Sequence, residues 1–123
     1  MKYAILCYHS ENVVCAWSRE HEAEVMGKLG AVLEKNAKAG RLGPVAKLMP
    51  TTAATTLRKE SEPAVVLDGP FAETKEQLLG FFVAECASLE EVLELARELG
   101  EANPGGAYEI RPIEHFQDWS VAR

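Results

Sequence analysis

Asp68 is the side chain whose setting the sequence defines most closely. It opens the run Asp68-Gly69-Pro70-Phe71-Ala72-Glu73-Thr74-Lys75-Glu76. Gly69 supplies backbone freedom and Pro70 fixes φ, so the chain reverses sharply and rigidly after the carboxylate. Two roles follow. The carboxylate can accept N–H bonds from its own turn, as an Asx turn or as a cap for residues 74–77. It can also act as a general base, or orient one. Arg111 and Arg58 are the candidate anion holders, because a guanidinium grips a carboxylate with two parallel hydrogen bonds. Along the last apolar stretch Glu109, Arg111, Ile113 and His115 share one face, which leaves open an Arg111–Glu109 pair, an Arg111–Asp68 pair, or a cleft-facing cation. Arg58 alternates with Thr56 and points to the same side.

The histidines divide by position. His9 ends the first apolar stretch and is either a satisfied strand end or a ligand contact and proton carrier. His21 stands among Glu20, Glu22 and Glu24, as a solvated surface group or a ligand contact. Phe71, with Trp17, Phe81 and Phe82, fits a pocket wall or core packing. Several chemistries lack support. His9, His21 and His115 have no metal-ligand spacing. Ser10 follows His9 directly, so the two side chains of a strand point apart and form no nucleophile–base pair. Gly27 and Gly30 match no nucleotide fingerprint and fit close helix–sheet packing instead. No cofactor is expected.

The elements that must hold these residues read clearly from the pattern. Residues 2–9 alternate with apolar character on both faces, which marks a covered strand. Ser18 is placed to cap a helix running to about Ala39, with Val25, Met26, Leu29, Val32, Leu33 and Asn36 or Ala37 as its inner stripe and Gly40 as its stop. A strand over 42–49 follows, disturbed at its start by Gly43-Pro44. Residues 54–59 and 64–67 read as a hairpin. Residues 79–86 form the most apolar strand. Ser88-Leu89-Glu90-Glu91 is a capping box for a second helix that turns Leu89, Val92, Leu93, Ala96 and Leu99 inward and ends at Gly100. Residues 108–115 make the last strand. The order β-α-β-hairpin-β-α-β predicts one α+β domain over residues 1–123, a sandwich of ferredoxin-like type. Two helices cover one sheet face only, so a second subunit is expected on the other, a homodimer in which Phe116, Trp119 and Val121 of the tail clasp the partner.

Composition bounds the partners. The 123 residues carry a net charge of −6, much of it from helical glutamates, which argues against a nucleic-acid binder that tracks phosphates. No apolar run approaches a membrane span, and no signal peptide is expected ahead of the first strand. The three cysteines, Cys7, Cys15 and Cys86, share no metal spacing; they fit a reducing cytoplasm, with Cys7 and Cys86 as small core residues.

Residues 54–58 (Ala-Thr-Thr-Leu-Arg), the run from Asp68 to Leu78 with Gly80-Phe81, and Glu109-Ile110-Arg111-Pro112 together resemble the DGPF branch of the YCII-related family, in order and spacing over nearly the whole chain. The resemblance implies a ferredoxin-like dimer of the dimeric α/β-barrel type. It also implies a histidine–aspartate pair in a cleft, but the histidine belongs in the middle of the first helix, where this chain has Leu29. Two functions are therefore expected as alternatives. One is binding of a small, partly apolar and anionic molecule near Asp68 and Arg111, with proton-transfer or elimination chemistry by Asp68 or His9. The other is a regulatory partner of an extracytoplasmic-function sigma factor, supported by the acidic helices and the tail.

Overall fold

A four-stranded antiparallel sheet in the order β2-β5-β1-β6 carries the fold of the computed structural model, which describes residues 1–119. Its strands are β1 (Lys2–His9), β2 (Leu42–Lys47), β5 (Gln77–Glu85) and β6 (Ala107–Pro112). Helix α2 (Arg19–Lys38) links β1 to β2, and α3 (Leu89–Ala102) links β5 to β6. That order and connectivity are those of a ferredoxin-like α+β sandwich. Two additions decorate it: a single helical turn α1 (Glu11–Val14) after β1, and a separate hairpin of β3 (Thr55–Arg58) and β4 (Val65–Asp68) between β2 and β5.

The two faces of the sheet differ in cover. Register places Tyr3 opposite Ala84 and Ile5 opposite Phe82. These four are buried with Leu29, Leu42, Val92, Leu95 and Leu99 under the helices. Each fully buried aliphatic side chain contributes roughly 1.5–3 kcal/mol. On the opposite face Ala4, Leu6 and Phe81 are only half-buried. Gly43-Pro44 breaks the pairing of β2 with β5, which shifts register between Leu42 and Val45. Pro44 is tolerated because β2 is an edge strand.

Both long helices begin at the serines that the sequence singles out. Ser18 Oγ accepts the His21 N–H at 3.0 Å, and Ser88 Oγ accepts the Glu91 N–H at 3.2 Å. Val25, Leu29 and Asn36 are the buried residues of α2. Asn36, 1% exposed, donates through Nδ2 to Val32 O and to the Glu98 carboxylate, both at 2.8 Å. Lys35 pairs with the same carboxylate and, with Asn36, holds it below its ordinary pKa. A polar clamp thus joins α2 to α3.

Three expectations need correction. Gly27 and Gly30 are exposed, and a Cβ at either would meet nothing within 4 Å, so helix–sheet packing does not explain them. Leu89 is 51% exposed because it directly follows the cap, before the stripe begins; Leu95 takes the inner place instead. Helix α3 runs past Gly100 to Ala102, with Gly100 against the Tyr108 ring. Strand β6 is an edge strand, so its charged face meets solvent without the burial cost that a central strand would incur. In the tail, Phe116 packs under the Lys2 ammonium, 5.1 Å from ring centroid to Nζ. Val121 lies outside the described residues.

The Gly105-Gly106 loop before β6 fits tightly over the end of β1. At φ 73°, a Cβ on Gly106 would lie 2.2 Å from Tyr8 O. Gly40 has a similar φ of 75° but open space around it. Gly106→Ala should therefore cost about 2–4 kcal/mol and Gly40→Ala only about 1–2 kcal/mol; equal losses in urea melts would refute the steric account. A second expectation concerns Glu85, which accepts from Lys2 Nζ at 2.9 Å and pairs with the terminal ammonium at 2.7 Å. Lys2 first, then that ammonium, lower its pKa to about 2. A depressed carboxyl stabilises the fold above its unfolded pKa of about 4.3 and loses that contribution as pH falls through about 2. Glu85→Gln should lower Tm modestly at pH 7, given solvent screening, and leave it unchanged near pH 2.

Candidate functional site

The turn after β4 is held by threonines and glutamine, not by its carboxylate. Gly69, at φ 108°, donates its N–H to Ala54 O at 2.8 Å, and Thr56 Oγ1 donates to Gly69 O at 2.8 Å. Further on, Gln77 Nε2 donates to Ala72 O at 2.9 Å and Thr74 O at 3.3 Å. Thr74 Oγ1 donates to Glu76 O at 2.5 Å. Residues 74–77 form no helix, so Asp68 has none to cap there. Asp68 is exposed, and among the described residues its carboxylate makes no hydrogen bond or ion pair.

The turn overhangs the uncovered face of the sheet. Between it, residues 48–54 and the sheet lies a cleft of about 700 Å³, lined by Tyr8, Met49, Thr51, Phe71, Glu76 and Gln77 among others. Its far wall is fixed by α1: the Glu11 carboxylate accepts the Thr51 N–H at 2.7 Å and the Thr51 hydroxyl at 2.5 Å. Leu48 N–H bonds to Leu79 O at 2.9 Å, continuing the line of β2. Phe71 is 73% exposed, and the Arg58 guanidinium sits over its ring at 4.8 Å. Cation–π contact of this kind holds the guanidinium on the Phe71 ring; Phe71 lines the cleft and Arg58 itself does not. Arg58 also reaches Glu60 at 3.5 Å.

A shallower hollow of about 570 Å³ shares Tyr8, Thr74 and Glu76 with the cleft and extends to Lys75, Tyr108 and Glu109. Arg111 borders this side through Glu109, whose carboxylate accepts its Nε–H at 3.0 Å and raises its pKa further. Of the pairings open for Arg111, the one with Glu109 forms and the one with Asp68 does not.

His9 and His21 stand on the other side of the sheet. His9 Nδ1 accepts the Ser10 N–H at 2.7 Å, and the Trp17 edge packs against its ring at 6.2 Å. His21 meets the same tryptophan at 4.7 Å and is exposed. The fold thus gathers Arg58 with Phe71, and His9 with His21, but forms no His9–Asp68 bond. Leu29, at the position where the resemblance places a histidine, is buried in the core. Burial raises the pKa of the Cys7 and Cys86 thiols. Among the described residues no three His, Cys, Asp or Glu side chains converge on a metal position. No helix among them is long and apolar enough to cross a membrane.

Tyr8, Thr51, Glu76 and Gln77 are lining residues that the sequence does not single out. The available signals were slight: Tyr8 is a phenol on the face that no helix covers, and Glu76 and Gln77 fall within the run that carries the resemblance. The chain is 58% identical over 114 residues to the uncharacterized protein R00369 of Rhizobium meliloti (strain 1021), with 92% of each chain covered. The family model for the YCII-related domain matches residues 1–117, and the chain belongs to the YCII-related family.

Proposed function

We propose that the protein binds a small, partly apolar molecule with an anionic group in the cleft beneath the Asp68–Glu76 turn. The cleft itself carries the reading: about 700 Å³ lies within the range of small-molecule sites, roughly 300–1,000 Å³. Its apolar walls suit a ring or chain, and Arg58, stacked on the lining residue Phe71 from outside the cleft, is the cation proposed to reach a carboxylate. Arg111 offers a second cation on the Glu109 side. Should the bound molecule be turned over, a carboxylate is the group available to take a proton. Glu76 lines both hollows, and Asp68 opens the turn above them with its carboxylate unengaged.

A second copy of the chain covers this side of the sheet in the same proposal. The hairpin exposes Leu57 (59%) and Val66 (66%), paired on one of its faces, and Leu67 (48%) on the other, and on the sheet Leu6 and Phe81 are half-buried. Exposed apolar side chains such as Leu57 and Val66 suit an association surface, and a twofold partner would bury them with the same residues. Light scattering after size exclusion at micromolar concentration should give twice the chain mass, and Val66→Glu should shift it toward one chain. A wild type of single-chain mass would sink the dimer.

Aryl carboxylates such as benzoate and phenylacetate should raise Tm by about 3–6 °C at roughly tenfold saturation. Arg58→Ala should lose most of that shift, whereas Asp68→Asn should keep it. No shift with any aryl carboxylate, or equal shifts in wild type and Arg58→Ala, would refute the anion-binding reading.

A further inference from the structure

Four side chains lining the cleft under the turn can donate a hydrogen bond, and the fold has already engaged three of them. Thr51 gives its hydroxyl to the Glu11 carboxylate at 2.5 Å. Thr74 gives its own to Glu76 O at 2.5 Å. Gln77 directs Nε2 at Ala72 O and Thr74 O, at 2.9 and 3.3 Å, which occupies both N–H groups of its amide. Tyr8 is the fourth, and among the described residues its hydroxyl makes no hydrogen bond. That oxygen is open to solvent, since Asn36 Oδ1 is the one buried side-chain polar atom without a partner among the described residues.

Strand geometry and charge place the hydroxyl. Alternation puts Tyr8 with Ala4 and Leu6 on the face that no helix covers, and register sets it opposite Ala107 of β6. Gly106 packs against Tyr8 O and holds that end of the strand. A side chain there stands off the sheet, so the phenol oxygen is its outermost atom. Tyr8 lines the cleft on one side and the shallower hollow on the other, and its ring stands between them. Arg111, whose cross-strand partner Ala4 shares this face, feels the oxygen: Glu109 first, and Tyr8 after it, raise the Arg111 pKa. The hydroxyl therefore lies over the open face on the β6 side. The Tyr108 hydroxyl, by contrast, is taken up by Asn103 at 3.1 Å.

The charges nearby select what the hydroxyl can bind. Glu76 lines both hollows as Tyr8 does, and among the described residues its carboxylate has no cation partner. A ligand carboxylate placed at Tyr8 would meet that like charge. Arg111 on this side is already paired with Glu109. A neutral acceptor meets no such repulsion. From this accounting we infer that Tyr8 is the specificity-determining residue of the cleft, its hydroxyl donating to a neutral carbonyl or ether oxygen that the ligand carries apart from its anionic group. The inference rests on the anion-binding reading and narrows its ligand to an aryl carboxylate with a second, uncharged acceptor.

The test compares two benzoates of matched shape, 4-acetylbenzoate, which has a carbonyl acceptor, and 4-isopropenylbenzoate, which lacks one. Titrations of the full chain are followed by the NMR signals of the Gln77 side-chain amide, which lies in the cleft. Wild type should bind 4-acetylbenzoate about fivefold tighter than its partner. In Tyr8→Phe, which keeps the ring and removes the donor, 4-isopropenylbenzoate should bind as in wild type, and the preference should fall to within about twofold. A wild-type preference already within about twofold overturns the inference and leaves the cleft reading standing; that comparison needs no variant to fold. Tyr8→Phe retaining the full preference overturns it too. So does equal weakening of both probes in Tyr8→Phe, the result expected if the hydroxyl held the carboxylate itself beside Lys75. If neither benzoate moves the Gln77 signals of wild type at millimolar concentration, the cleft reading and this inference fall together.

Discussion

The register of β1 against β5 is the constraint on which the rest of the molecule depends. Ile5 faces Phe82 and Leu6 faces Phe81, and because strand side chains alternate, a slip of one residue would exchange the two faces. The correct pairing sends Tyr3, Ile5 and Cys7 toward the helices and Ala4, Leu6 and Tyr8 away from them. It also decides which functional group reaches which side. Tyr8 joins the cleft under the turn, whereas His9, one residue later, lines a small hollow under α2. The core fixes this register because Ile5 and Ala84 are fully buried and Phe82 nearly so.

Most of that frame was legible before the structure. Alternation located β1, serine caps located the starts of α2 and α3, and the hairpin followed from two short runs around a turn. Local rules of this kind act within a few residues, so they survive without tertiary knowledge. What failed was mostly tertiary. Gly27 and Gly30 look like packing glycines on a helix, yet they face solvent, because spacing does not say which side of a helix meets the sheet. The charged face of β6 is likewise a matter of position in the sheet, which a local pattern does not give. As an edge strand it needs no buried partner, and Glu109 and Arg111 satisfy each other.

The candidate site shows the same division. The rigid turn at Asp68 was evident from Gly69 and Pro70, and the turn is there. Which atoms hold it was not evident. Thr56, across the hairpin on β3, and Gln77, the first residue of β5, donate to carbonyls of the turn, bonds that an acceptor-only carboxylate at Asp68 could not make. Arg58 and Phe71 are 13 residues apart in sequence and meet through the β3–β4 hairpin together with the chain reversal at Gly69-Pro70. No periodicity within either segment encodes that contact.

The unengaged carboxylate of Asp68 then takes on a specific meaning. An aspartate that sews up its own turn has its lone pairs occupied, and mutation of it would cost stability first. Here the turn is complete without it, since Gly69 N–H, Thr56 Oγ1 and Gln77 Nε2 already bridge the segment to its neighbours. The residue is therefore dispensable for local architecture, and its carboxylate stays open to solvent or to a ligand. The same reasoning separates it from Glu11, whose carboxylate accepts two bonds from Thr51 and fixes the opposite wall of the cleft. Neither group lines the hollow itself: Glu11 acts on its wall through Thr51, and Asp68 stands at the start of the turn. One is committed to shape and the other is left open, a division set by hydrogen-bond supply and not by residue type.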